Sequence, residues 1–191
     1  DIQIRGNSYQ YKRFKFYVNS IRNNVLRRYP EENVLRMLIR YGLMFLGGQQ
    51  WNLPGAWYER VSKIFNADIE GFASPLNSQL MLIRRDAKFC SLFKDTDACF
   101  GSIGSIFNLD AEDVEGKTMI NNPPYVEKIM DDLMKLQTNW MEQVPVRIIM
   151  VVPNWEDAEY FQLAMQSPYL KYEELLKAKE HFYETNRKGK K

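Results

Sequence analysis

Four consecutive residues carry the strongest chemical signal in the chain: Asn122, Pro123, Pro124 and Tyr125. An asparagine side chain offers an acceptor oxygen, and a backbone carbonyl held by proline offers a second acceptor whose direction is fixed in advance. Two such acceptors suit the two hydrogens of an exocyclic amine and would aim its lone pair at a methyl donor. The Tyr125 ring adds a flat surface for stacking on a flipped or unpaired base. The same tetrapeptide would also serve as a proline-rich helix start, with Pro124 in the first turn and Tyr125 in the core. Its rarity favours chemistry: with proline near 5% of residues, an amide or acid followed by two prolines and an aromatic arises by chance in well under about one chain in a hundred.

Two other segments offer weaker signals. Glu70, Gly71, Phe72, Ala73, Ser74, Pro75, Leu76 and Asn77 place an acid ahead of an aromatic and small residues. That suits a tight turn whose backbone lets a nucleoside cofactor approach, and equally an ordinary strand-to-loop turn. Asp95 and Asp97 precede Phe100, Gly101 and Ser102. An acid after the second strand of an open α/β sheet commonly accepts from a ribose diol, while either aspartate alone also reads as an Asx turn. One histidine and two cysteines, Cys90 and Cys99, are too few for a four-ligand zinc site, so no metal is expected. The cysteines read as reduced thiols, and every histidine-based triad would have to run through His181 in a lysine-rich tail.

These segments need a scaffold, and the chain can supply one. Its 191 residues are 45% hydrophobic, enough for one compact unit. No apolar run approaches the roughly 20 residues of a membrane span, and no secretion signal follows Asp1, so an intracellular site, cytoplasm or nucleus, is expected. A start on Asp1 instead of Met reads as a fragment. Helical periodicity runs over 11–28, 31–46 and from Pro54 through Ile64, which makes 1–66 a basic helical preface. Strand-like segments follow at 68–73, 117–121 and 146–152, the last reading as a fully buried parallel strand. A long apolar-striped helix over 126–143 links the last two into a βαβ unit, a further helix is expected over 155–165, and an edge hairpin over 169–183. The core is therefore expected to be α/β, over 67–191.

Net charge is only +2, but residues 1–64 carry 11 Lys/Arg against 4 Asp/Glu. Lys12, Arg13 and Lys15 alternate with rings from Tyr9 to Tyr17, and Arg22, Arg27 and Arg28 continue the charge, a pattern that fits either an RNA surface or a helix with core rings and solvated cations.

Together the segments resemble an amino-methyltransferase using S-adenosylmethionine. More narrowly, the chain is similar to the methyltransferase domain of the phosphorylated-CTD-interacting factor family, the cap-specific adenosine N6-methyltransferases. The matching residues are Trp51, Asn52, Leu53 and Pro54, then 72–77, 93–97, 100–102, 122–125, and Val151, Val152, Pro153 and Trp155. The resemblance implies a Rossmann-like fold, S-adenosylmethionine as donor, and adenosine N6 in RNA, at or near a cap, as acceptor. It implies that Glu70, Phe72, Ala73, Ser74, Pro75 and Asn77 line the cofactor, with Asp95 or Asp97 near its polar groups, and that residues 122–125 orient the adenine. Tyr125 stands where the family usually has Phe. The family's amino-terminal WW domain and much of its surrounding helical region have no counterpart in this reading, so binding of phosphorylated polymerase tails and of a methylated cap does not carry over; a protein partner or missing flanking domains are the expectation left. A methyltransferase fold kept for RNA binding or scaffolding alone, or an enzyme acting on DNA adenine, cytosine N4 or a glutamine amide, shares the same motifs.

Overall fold

The computed structural model describes residues 3–5, 8–11, 14–44, 51–177 and 183–185. The preface begins with strands, not with a helix over 11–28. Strands β1 (Gln3–Arg5), β2 (Ser8–Tyr11) and β3 (Phe14–Tyr17) form an antiparallel sheet, and only then does helix α1 (Ser20–Leu26) start. Ring, cation and ring at Phe14, Lys15 and Phe16 repeat with a period of two, which a strand shares. Asn19 caps α1 by accepting from the Arg22 N–H at 2.8 Å, a contact typically worth about 1 kcal/mol. Helices α2 (Glu31–Met44) and α3 (Gly55–Phe65) follow as the periodicity predicts, and α3 ends on Asn66 at φ 51°, a left-handed cap that asparagine tolerates. Strand β4 (Trp51–Asn52) lies between them.

Beyond α3 the chain builds one open sheet from β5 (Ile69–Glu70), β6 (Lys88–Cys90), β7 (Ser102–Gly104), β8 (Thr118–Asn121) and β9 (Arg147–Met150), in the order β7-β6-β5-β8-β9. All four pairings are parallel, so the architecture is α/β. Helices α4 (Leu80–Ile83), α5 (Lys94–Asp97), α6 (Ala111–Val114), α7 (Glu127–Gln143) and α8 (Glu159–Gln166) intervene or follow. On α7, the buried Met130, Leu133, Met134 and Trp140 fall on one stripe, each large apolar side chain contributing about 1.5–3 kcal/mol of burial. Strand β9 is the sheet edge and is only half-buried, with Ile148 and Met150 packed against one core cluster and Ile149 against another, so both faces are covered in part. No strand forms over 169–177, and residues 178–182, within the second arm of the expected hairpin, lie outside the described residues. Instead β10 (Glu184–Thr185) pairs antiparallel with β4.

The preface docks on one face of this sheet. Val25, Leu26, Val34, Met37 and Leu38 share a core with Met81, Phe89, Phe93 and Phe100. Among the described residues no helix is long and apolar enough to cross a membrane, and no group of three or more His, Cys, Asp or Glu is placed to hold a metal ion. Both cysteines are free thiols, and burial pushes the Cys90 thiol up to about 12.

Candidate active site

In this sheet β5 is central: β6 and β7 lie to one side, β8 and β9 to the other. The chain leaves β5 and β8 in opposite directions, and a crevice opens outside the carboxyl ends of two such strands. The residues at those two ends are Glu70 with Gly71, and Asn121 with Asn122.

The end of β8 is held firmly. Gly71 N–H donates to the Ile120 carbonyl at 2.8 Å, and Val151 N–H donates to the Asn121 carbonyl at 2.8 Å. The Asn121 side chain is fully buried, and neither its Oδ1 nor its Nδ2 has a hydrogen-bond partner among the described residues. A Cβ at Gly71 would stand 1.8 Å from Asn121 Oδ1 and 2.8 Å from Ile106 Cδ1, so only glycine leaves room for that amide. Asn122 donates its Nδ2 to Asn52 Oδ1 at 3.4 Å, while its own buried Oδ1 is unpartnered. Buried polar atoms are nearly always satisfied, which sets these three apart at one strand end. The Gln137 amide is also orphaned, but in the middle of α7.

The prolines define the second acceptor. The Pro124 carbonyl accepts from Val126 N–H at 2.7 Å, which leaves the Pro123 carbonyl as the one with no hydrogen bond among the described residues. Pro123 is buried and Pro124 exposed. Tyr125 is 40% exposed; its hydroxyl bonds that of Tyr183, and the two rings meet edge to face at 6.1 Å. Burial, followed by that hydroxyl contact, raises the Tyr125 phenol above its ordinary value.

The end of β5 is in a different condition. Glu70 Oε1 accepts from Asn52 Nδ2 at 2.9 Å, and Oε2 accepts from Ser78 Oγ at 2.8 Å and Leu80 N–H at 3.2 Å. The carboxylate is fully enclosed. Burial raises its pKa, opposed by those donors and by the Arg22 charge. Asn77 Oδ1 accepts from Ser74 N–H at 2.7 Å and Ser74 Oγ at 3.0 Å, and Pro75 is buried. Glu70, Ser74, Pro75 and Asn77 therefore brace the loop from within. Of the residues expected along a cofactor, Phe72 and Ala73 are the half-exposed ones. Phe72 meets Phe107 edge to face at 6.2 Å.

The structure separates the two aspartates. Asp95 is exposed and pairs with Arg40 at 2.9 Å, whereas Asp97 is fully buried and accepts from Tyr41 Oη at 2.5 Å. Asp97 Oδ1 has no partner among the described residues, and burial raises the carboxyl above its ordinary range. Arg22 departs most from expectation. It is 1% exposed, and among the described residues the one hydrogen-bond contact of its side chain is to Met81 Sδ at 3.9 Å, so it does not lie on a phosphate-binding surface. Burial lowers its pKa to about 10, partly countered by Glu70. Lys12 and Arg13 lie outside the described residues, and Lys15 falls in β3. Tyr9 is a core ring whose hydroxyl donates to Asn23 Oδ1 at 2.5 Å, while Tyr17 is 60% exposed.

Two clefts lie elsewhere. One of about 320 Å³ is bounded by Tyr9, Leu26, Arg27, Tyr29, Glu31 and Val34, and one of about 250 Å³ lies against α6 and α7. No candidate residue lines either, so the strand-end site is marked by its polar atoms and not by a cavity.

Comparison with known proteins decides the kinship. A family model described as the phosphorylated CTD interacting factor 1 WW domain matches residues 14–186, through the whole parallel sheet. The chain belongs to the phosphorylated CTD interacting factor 1 family. Human and mouse relatives, each named mRNA (2'-O-methyladenosine-N(6)-)-methyltransferase, are 32% identical over 163 residues, 83% of this chain. That stretch is 21% of each relative's length, so this family member spans a small part of them. Its sequence singled out residues 122–125. Asn121, Tyr58 and Tyr183 are added by the structure; Asn52 already stands in the stretch 51–54 that carries the resemblance, without a role of its own there.

Proposed function

We propose that the chain is the core of an S-adenosylmethionine-dependent methyltransferase, of Rossmann-like fold, that methylates adenosine N6 in RNA, at or near a cap. The observation that carries this reading is the pair of unpartnered acceptors held on one loop, Asn122 Oδ1 and the Pro123 carbonyl. An N6 amine has two hydrogens and a weakly nucleophilic nitrogen, and two fixed acceptors both orient it and raise its electron density. The names of the human and mouse relatives support the same acceptor.

The residues present fit a nucleoside cofactor. Asp97 Oδ1 and the Asn121 amide are buried orphans following β6 and β8, the two neighbours of β5, and Gly71 adds no side chain between. Asp97 would hold hydroxyls of the cofactor, Phe72 and Ala73 would border it, and Asn121 would meet a polar group near β5. When bound, the cofactor supplies a methyl group on a sulfonium. The protein's part is positional: Asn122 and Pro123 hold the amine and Tyr125 stacks on the base. The proton released from nitrogen leaves to solvent after transfer.

RNA is the expected partner, through a basic surface that Lys12, Arg13 and Lys15 would extend and that no longer includes Arg22. The decisive experiment is mass analysis of nucleosides after incubating the protein and S-adenosylmethionine with mixed RNA and DNA. N6-methylated adenosine in the RNA alone supports the reading; methylated deoxynucleosides only, or no product with no cofactor binding by calorimetry, would replace it with a DNA enzyme or a scaffold.

A further inference from the structure

We infer that Asn52 is a positioning residue for methyl transfer, setting the amide of Asn122 so that its oxygen faces the acceptor amine. The inference rests on the reading of residues 122–125 as the amine-binding loop.

An amide presents a donor and an acceptor from one carbon, so whatever takes its nitrogen decides where its oxygen points. For Asn122 that partner is Asn52 Oδ1, at 3.4 Å. Asn52 is itself an amide, and the assignment holds only if its own orientation is forced. Two of its partners allow no choice. The Asn77 carbonyl only accepts, and it receives Asn52 Nδ2 at 3.0 Å; Leu53 N–H only donates, and it reaches Asn52 Oδ1 at 3.1 Å. The Glu70 carboxylate and the Tyr58 hydroxyl, at 2.9 and 2.6 Å, reinforce the same orientation. Asn52 Oδ1 thus faces the loop as an acceptor, Asn122 must turn Nδ2 toward it, and Asn122 Oδ1 is left to receive the substrate.

The backbone supports this placement. Asn52 sits on β4 opposite Glu184 of β10, the strand that follows Tyr183, so one two-stranded ribbon delivers both the group that orients Asn122 and the ring against Tyr125. With its side chain satisfied on both ends and 2% exposed, Asn52 is a fixed reference and not a ligand group.

The test compares wild type, Asn52→Ala, Asn122→Ala and the double variant in single-turnover methyl transfer to RNA, with S-adenosylmethionine affinity from calorimetry and folding from thermal melts. The account expects Asn52→Ala to lower the transfer rate by about tenfold or more while cofactor affinity and the KM for RNA stay within about threefold. In the Asn122→Ala background the same change should have little further effect. If Asn52→Ala does not fold, Tyr58→Phe, which removes one donor to Asn52 Oδ1, is read the same way with a smaller loss. Losses that multiply in the double variant, or a fall in cofactor affinity equal to the fall in rate, overturn the inference while an active wild type preserves the reading beneath it. A wild type that binds cofactor and methylates nothing overturns both.

Discussion

At the end of β5, Glu70 has three protein donors on its two oxygens, whereas one strand over, at the end of β8, Asn121 and Asn122 keep three buried amide atoms without partners among the described residues. Both ends are buried and rich in polar atoms, and they touch through Gly71. They differ in how their polar atoms are used. A buried orphan costs about 1–3 kcal/mol. Such a cost persists where a ligand relieves it, so the β5 end reads as the brace and the β8 end as the site.

The sharpest way to break this contrast is Gly71→Ala. Its Cβ would displace the Asn121 amide and press Ile106, destabilising the fold by about 1–3 kcal/mol and removing most methyl transfer even where the protein remains folded. A folded Gly71→Ala protein with full activity would show that Asn121 has no part in the site. Glu70→Ala attacks the brace instead: it strips the acceptor from Asn52, Ser78 and Leu80 and should cost about 2–4 kcal/mol in denaturant titration. A loss under about 0.5 kcal/mol would deny Glu70 its role, since that is the range of an ordinary surface change.

Tyr125→Ala should weaken RNA binding by about 1–3 kcal/mol in a fluorescence titration, through lost stacking, without altering the melting curve. Unchanged affinity would place the base elsewhere. The smallest effect concerns pH. Because burial raises the Glu70 pKa, the folded state holds its proton more tightly than the unfolded chain does. Its contribution is thus fully present below the ordinary carboxylate value and is lost as pH rises through the raised one. Stability should fall across that window, and Glu70→Gln should flatten the slope; an identical slope in the variant would contradict the shift.

The sequence disclosed the two ends unequally. Residues 122–125 stand out in the sequence because two prolines after an asparagine are rare and their chemistry is local, and their role in the site is the one proposed above. The parallel strand over 118–121, the helix α7 and the α/β class followed from hydrophobic period. Asn52 was beyond reach as a structural hub, since its partners lie 6, 18, 25 and 70 residues away as well as at its neighbour. Glu70 read as a ligand group because an acid at a strand end commonly is one; whether its oxygens are occupied depends on Ser78 and Leu80 folding back. Arg22 was misplaced for a simpler reason: a helix starting at Ser20 turns it inward, whereas one running over 11–28 would have left it in the cationic row.

The most direct measurement is single-turnover transfer of a labelled methyl group to RNA by wild type and Asn122→Ala, with cofactor affinity determined in parallel. The account predicts a rate loss of about a hundredfold or more, the scale of removing one acceptor from a preorganised site, at unchanged cofactor affinity. Equal rates in the two proteins would contradict it.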